Sequence, residues 1–236
     1  MTEPKPSPYQ VGVPTPGSNV TAPAAASDGG IDRRHQVMVI VSMYTGYAMF
    51  MVLRMAPPVA GAAITADPNL GIDIGDWGRI LAMGTIGALV GKLIGGYAAD
   101  RLGGRLTFTI GLLVTAIGVL AFAMSSAVWM FQVTFFLALM AKSFGWPSMA
   151  KIIETTFRPN EYGRVWGILA TSSRIGTLIA TLLLGGLLAI ISWQTTLYIA
   201  GTAGIVITVY FAVSQRATAE KNRRCNAKQR RRTGPK

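Results

Sequence analysis

The sequence predicts an all-α integral membrane protein with six transmembrane helices. Its 236 residues are 51% hydrophobic, with a mean hydropathy of +0.43. Only 14% of the residues are charged, whereas soluble domains carry roughly 25%. Six apolar segments of about 20 residues, the length that crosses a bilayer, alternate with short polar connections. Composition and segment length therefore favour a membrane bundle over a soluble fold.

The N-terminal segment, residues 1–32, is rich in Pro, Ser, Thr, Ala and Gly. Because it has few large apolar side chains, we expect it to be disordered and cytoplasmic. It lacks the charged start and apolar core of a cleaved signal peptide. The single cysteine, Cys225, and the single histidine, His35, offer no disulfide framework or metal cluster. We expect no metal and no other cofactor.

The six apolar segments are each long enough to cross about 30 Å of hydrocarbon as a helix. Helices are expected because lipid offers no partner to an unpaired backbone group. The segments lie near residues 37–57, 78–99, 106–125, 128–150, 165–188 and 193–214. Together they predict a six-helix bundle over residues 33–214, followed by a basic tail over residues 215–236.

Prolines, glycines and tryptophans predict where the helices end and which of them pack closely. The longest connection, residues 57–77, begins with Pro57 and Pro58 and is expected to lie outside the helices. Glycine recurs at every fourth position of the second segment, which allows a neighbouring helix to approach closely. These glycines are Gly87, Gly91 and Gly95. An aromatic belt is expected at the outer boundaries. Its members would be Trp77, Trp129 and Trp193.

Basic residues mark one side of the predicted membrane. They precede the first segment, fill the second connection, bound the fourth and dominate the tail. The residues are Arg33, Arg34, Arg101, Arg105, Arg158 and Arg164, with nine of the 22 Lys and Arg in residues 216–236. By the positive-inside rule, both termini are expected to be cytoplasmic. Charge that flanks a membrane explains the high net charge better than nucleic-acid binding, so we expect no nucleic-acid partner.

Four cations fall inside the predicted helices, namely Arg54, Lys92, Lys142 and Arg174. No acidic residue lies at a similar depth. A charge that faces lipid at depth costs several kcal/mol, so these side chains should face protein or a watery cavity. Arg binds phosphate through paired hydrogen bonds, and Lys adds a point charge. The hypothesis is a cavity for an anionic small molecule. Snorkelling by Arg54, or backbone pairing by the lysines, is the alternative.

The connection between the second and third segments reads G-x-x-x-D-R-x-G-x-R, from Gly96 to Arg105. It resembles the loop between helices 2 and 3 of the major facilitator superfamily of transporters. The resemblance implies a gate. Gly96 would allow close helix contact, Asp100 would hold one conformation, and Arg101 and Arg105 would support it, with Gly103 as the motif's second glycine. Without the family, Asp100 and Arg101 could form a simple surface ion pair.

The run from Gly46 through Tyr47 to Arg54 resembles the first helix of the organophosphate:phosphate antiporters, a family of glycerol-3-phosphate and hexose-phosphate transporters and related sensors. The resemblance implies that Arg54 and Tyr47 lie at the substrate, and that Lys92 faces the same pocket. Gly145-Trp146-Pro147 matches a run in that family's fourth helix. Lys142 and Arg174 have no family counterpart, and Ser172-Ser173-Arg174 stands where the family often has a histidine.

The resemblance covers one six-helix half of a fold that has two halves and about twelve spans. It implies a half-size or truncated secondary transporter in the inner cell membrane, carrying an organic phosphate or another organic anion, with phosphate as the exchanged ion. A second six-helix half or a homodimer partner is expected. A sensor or regulatory subunit and an inactive truncated product are the alternatives. The sequence shows no nucleophile–base pair or metal-ligand spacing, so we do not expect an enzyme.

Overall fold

The computed structural model describes the backbone of residues 33–232 and the side chains of residues 36–215. Within this range the helices are α1 (Arg33–Thr65), α2 (Ile74–Leu102), α3 (Gly104–Ala123), α4 (Val128–Lys142), α5 (Gly145–Thr156), α6 (Tyr162–Ile179), α7 (Gly185–Leu188) and α8 (Trp193–Arg232). A 3-10 turn precedes α6, and a π-helical turn joins α6 to α7. The disorder predicted for residues 1–32 lies outside the described residues.

Six helical stretches are long and apolar enough to cross a membrane. They are Gln36–Thr65, Ile74–Leu102, Gly104–Ala123, Val128–Thr156, Pro159–Leu188 and Trp193–Gln215, called spans 1 to 6 below. Each contains most of one predicted apolar segment. The described part of the chain contains no strand. The predicted all-α membrane fold with six transmembrane helices is therefore confirmed.

Span 1 extends through two prolines that were predicted to begin a loop. α1 contains Pro57 and Pro58 and ends only at Thr65. Proline removes a helical hydrogen bond, but the turns beyond it are held by packing, because Ala60 and Ile64 are fully buried. The prediction that residues 57–77 form one connection was wrong for its first nine residues. Arg54 consequently lies about 16 Å from the end of its helix, well inside the span.

Span 4 is broken in its middle. α4 ends at Lys142, and α5 begins at Gly145. Pro147 has no backbone N–H, so it cannot donate the helical hydrogen bond to the carbonyl of Ser143, and its ring clashes with that carbonyl. The helix is therefore interrupted at Ser143, four residues before the proline. This interruption divides the single helix predicted over residues 128–150 into two pieces.

Aromatic rings and glycines form the packed interior. Phe108 of α3 stacks on Phe211 of α8 with ring centroids 4.4 Å apart, and Phe50 of α1 meets Phe108 at 5.1 Å. On the other side, two glycines of α2 lie directly on the backbone of α4. A Cβ atom on Gly87 or Gly91 would collide with the backbone of α4. The glycine spacing therefore performs the close-packing role that the sequence predicted.

The predicted aromatic belt is only partly present. Trp129 is 65% exposed, as a belt residue should be. Trp193 is instead buried, and its indole Nε1–H donates to Asp67 Oδ2 at 3.1 Å. Trp77 is half-buried, with its ring against Gly61 of α1. These two side chains turn inward because the bundle offers one a carboxylate and the other a glycine surface, so their belt assignment was wrong.

Replacing Gly91 with Ala should destabilise the bundle by about 1–3 kcal/mol, because the new methyl group meets the backbone of Met140. A methyl group on Gly78 of the same helix would meet nothing within 4 Å, so Gly78→Ala is the matched control. The control should be neutral or stabilising by up to about 1 kcal/mol. Thermal unfolding in detergent compares the two variants. Equal melting temperatures would contradict the packing described for α2.

The Asp67 carboxylate accepts hydrogen bonds from Trp193 and from Asn69, which lower the pKa of Asp67 below its ordinary value. The resulting stability is present above the pKa of the unfolded chain and is lost as pH falls through the lower pKa of the folded protein. Trp193→Phe should therefore lower the melting temperature at neutral pH and lose less stability on acidification. Melting curves from about pH 7 to about pH 3 test this. If the difference in melting temperature between the wild type and Trp193→Phe did not change with pH, the stabilisation would not come from the Asp67 carboxylate.

Candidate functional site

A cleft of about 430 Å³ opens among spans 1, 2 and 4. Its lining residues are Tyr47, Lys92, Lys142, Ser143, Trp146 and Pro147. Three of the five residues predicted to bind substrate, Tyr47, Lys92 and Lys142, are thus brought together. No lining residue is acidic. The cleft presents two ammonium groups, a phenol and an indole to whatever enters it.

The break in span 4 forms one wall of this cleft. Lys142 is the last residue of α4, and Trp146 and Pro147 lie in the first turn of α5. Lys142 has fourteen residues of its span on either side, so it lies at mid-depth. Lys92 lies ten residues before Leu102, or about 15 Å from that end of span 2. Both lysines are therefore far from the helix ends.

Arg54 is exposed on span 1 near the cleft without being one of its lining residues. Its charge acts on Tyr47 and on Lys142. The charge of Lys92 also acts on Lys142. Lys142 thus lies within range of two other positive charges in a partly enclosed space, where repulsion is poorly screened. An anion in the cleft would relieve this repulsion.

An aromatic wall borders the cleft. The ring centroids of Tyr47 and Trp146 are 5.9 Å apart, and those of Trp146 and Trp166 are 4.7 Å apart. The wall links α1, α5 and α6. Sequence reasoning missed Trp166. The available signal was that Trp146 and Trp166 are the two tryptophans that do not lie at predicted outer boundaries.

Arg174, the fifth predicted binding residue, is not brought to the cleft. It is exposed on α6 and is not among the lining residues. Val165, Leu169, Ser172 and Gly176 form the buried face of α6, and Gly176 lies against Ala48 of α1. Arg174 is two residues from both Ser172 and Gly176, which places it on a different side of the helix. Its place in the anion site stays a sequence-based prediction without geometric support.

The predicted gate residues surround the α2–α3 connection. Asp100 is 74% exposed, and its Oδ1 lies 3.7 Å from Lys151 Nζ of α5. Lys151 also pairs with Glu154 at 3.0 Å. Arg101 lies over the ring of Tyr97, 5.0 Å from its centroid. Lys151 was not predicted as the partner of Asp100. The sequence did indicate that Lys151 and Glu154 lie at the same end of the bundle as Asp100.

Gly96 makes no close helix contact within the described bundle, and its place in the gate stays a prediction. A Cβ on Gly96 would meet nothing within 4 Å, so close contact inside the described bundle does not depend on it. Its neighbour Gly95 makes that contact, with Phe144. Gly103 has φ +83°, a conformation that side chains rarely adopt, and it ends α2. Arg105 follows half-buried in the first turn of α3.

Six helices are long and apolar enough to span a membrane, and three of them line a polar cleft, so the chain is a multi-pass membrane protein. The family model of the Major Facilitator Superfamily matches residues 37–235. The chain therefore belongs to the Major Facilitator Superfamily, and its six spans correspond to one half of that fold.

Three relatives illustrate the similarity. A "Probable hexose phosphate transport protein" of Chlamydia pneumoniae is 26% identical over 70% of this chain and 36% of its own length. The "Membrane sensor protein UhpC" of Escherichia coli K12 is 26% identical over 75% of this chain and 39% of its length. A protein of Arabidopsis thaliana, provisionally named glycerol-3-phosphate transporter 3, is 28% identical over 66% and 34%. The chain thus matches between a third and two fifths of these relatives.

Replacing Lys151 with Gln should loosen the α2–α3 end of the bundle, because it removes the ion pair to Asp100. Exposed pairs contribute little, so amide exchange in the last turn of α2 should accelerate by no more than about fivefold. Hydrogen exchange measured by mass spectrometry reports this. The control is Arg101→Gln, which leaves the pair intact. Equal exchange in wild type and Lys151→Gln would show that Asp100 does not hold α5.

Proposed function

We propose that this chain forms one six-helix bundle of a secondary transporter for an organic anion, with a phosphorylated small molecule as the substrate and phosphate as the exchanged ion. The main support for this proposal is the cleft, which brings Lys92 and Lys142 together near Arg54 and has no acidic lining residue. The similarity to proteins named for hexose phosphate and glycerol-3-phosphate transport supports the same substrate class.

Phosphate suits this arrangement chemically. Its oxygens can accept hydrogen bonds from both ammonium groups, and Arg54 adds a third positive charge. Hydrogen bonds to charged groups contribute about 1.5–3 kcal/mol each, more than neutral ones. The aromatic wall of Tyr47, Trp146 and Trp166 offers an apolar surface beside the charges. The organic part of the substrate would lie against this wall.

Transport needs a second bundle, because alternating access rocks one half against another around a central site. The partner would be a second six-helix half or a second copy of the chain. Binding promotes rocking only if the anion binds the occluded form more tightly than the open forms. The pair of Asp100 and Lys151 would stabilise one of these forms, with Arg101, Gly103 and Arg105 shaping the gate. We place both termini in the cytoplasm and the bundle in the inner cell membrane.

A sensor is the second candidate function. The chain is 26% identical to a membrane sensor protein and 26% identical to a hexose phosphate transport protein. This equal similarity supports a sensor as the second candidate. The same cleft would then bind an external anion without carrying it across. Counterflow in proteoliposomes separates the two functions, because only a transporter exchanges internal phosphate for labelled external phosphate.

Replacing Lys142 with Gln should weaken binding of inorganic phosphate and of glucose 6-phosphate by about 10- to 100-fold, since one charge-assisted hydrogen bond is lost. Purified chain in lipid nanodiscs can be titrated with either anion, with tryptophan fluorescence reporting on Trp146 in the cleft. Calorimetry on the same samples gives the affinities.

The control for this titration is Arg79→Gln, which removes a cation outside the cleft, where Arg79 pairs with Asp76. Its affinity should equal that of the wild type. Melting temperatures show whether each variant is folded. If folded Lys142→Gln and Lys92→Gln both bind phosphate as tightly as the wild type, the cleft is not the anion site.

A further inference from the structure

Trp146 presents an open aromatic surface inside the cleft. It is one of the lining residues, and 47% of its surface is exposed. It lies ten residues before the end of span 4 at Thr156, or about 15 Å from that end. Because aromatic side chains contribute a large apolar area when they are covered, the open surface of Trp146 is a candidate contact for a ligand.

Neighbouring rings hold Trp146 in place. The ring centroid of Tyr47 in α1 lies 5.9 Å from that of Trp146, at an interplanar angle of 59°. The ring centroid of Trp166 in α6 lies 4.7 Å away, at an angle of 38°. Tyr47 is itself buried and meets Phe50 edge-on at 6.3 Å. Since other helices fix the indole before a ligand arrives, stacking on it would cost little conformational entropy.

The polar groups of the cleft suit a phosphate better than a sugar. The ammonium groups of Lys92 and Lys142 only donate hydrogen bonds, and so does the indole N–H of Trp146. Among the six lining side chains, only those of Tyr47 and Ser143 contain an oxygen that can accept a hydrogen bond. A buried hydroxyl group without an acceptor costs free energy. A ligand with several sugar hydroxyl groups would therefore be poorly matched to this lining.

We propose that the anion taken by this cleft is an aromatic phosphate, a planar ring joined to a phosphate group, and that the ring stacks on Trp146. The inference rests on the proposed function, because it takes the phosphate to lie at Lys92 and Lys142. The cleft of about 430 Å³ falls within the range of about 300–1,000 Å³ that is usual for small-molecule sites. Offset stacking of two aromatic rings stabilises their contact beyond the area that it buries.

Three phosphate esters test the assignment: phenyl phosphate, cyclohexyl phosphate and glucose 6-phosphate. At about pH 8 their charges are nearly equal, since the second pKa of a phosphate ester is about 6. Calorimetry measures their binding to the full chain in lipid nanodiscs. Phenyl phosphate should bind about three- to tenfold more tightly than cyclohexyl phosphate, whose six-membered ring has no π-system. It should bind at least about tenfold more tightly than glucose 6-phosphate.

Variants at two tryptophans locate the preference. Trp146→Leu should reduce the preference for phenyl over cyclohexyl phosphate to less than about twofold. Trp146→Phe should retain part of it, because phenylalanine keeps an aromatic ring. Trp129→Leu is the matched control, since Trp129 is 65% exposed at the start of span 4 and is not a lining residue of the cleft. The control should keep the full preference, and melting temperatures show whether each variant is folded.

The wild type alone can overturn the proposal, because the comparison of esters needs no variant. Equal affinities for phenyl and cyclohexyl phosphate, or tighter binding of glucose 6-phosphate, would contradict it. A full preference in folded Trp146→Leu would also contradict it. Titration with inorganic phosphate is a separate readout. If phosphate binds and phenyl phosphate has no advantage, only this inference fails, whereas if neither phosphate nor any ester binds, the proposed function fails as well.

Discussion

The inability of hydrocarbon to solvate charge is the constraint on which the rest of this structure depends. It places every acidic residue of the six spans within three residues of a span end, where water or a headgroup can reach it. The four cations that remain at depth must then be sheltered by protein or by a bound anion. Lys92 and Lys142 meet this requirement in one cleft, with Arg54 exposed beside it, and Arg174 lies on an exposed face of α6.

Backbone irregularities give the bundle its cleft. Pro147 interrupts span 4 beside Lys142, and the turn that results exposes the lysine, Trp146 and the proline ring to the same space. Glycines on α2 let that helix lie directly on α4, which brings Lys92 across from Lys142. Local rules of proline and glycine chemistry thus position two charges from different spans. Anion binding would use a geometry that the bundle already has.

Much of this could be predicted from the sequence, because hydropathy, span length and glycine spacing are local signals. The six spans and the presence of four cations inside them followed from these signals. The continuation of α1 through Pro57 and Pro58, the inward turn of Trp193 and the partnership of Asp100 with Lys151 could not be predicted in the same way. Each depends on a contact between residues far apart in the chain. The separation of Arg174 from the cleft is of the same kind, since depth is readable from sequence and helix rotation is not.

The central claim is that water and anions enter a cationic cleft at mid-membrane depth. Ser143 lines this cleft, so Ser143→Cys in a Cys225→Ser background reports on it directly. The rate of modification by negatively and positively charged methanethiosulfonate reagents is the measurement. The account predicts faster reaction with the negative reagent and slowing by phosphate. No reaction, or a preference for the positive reagent, would contradict it.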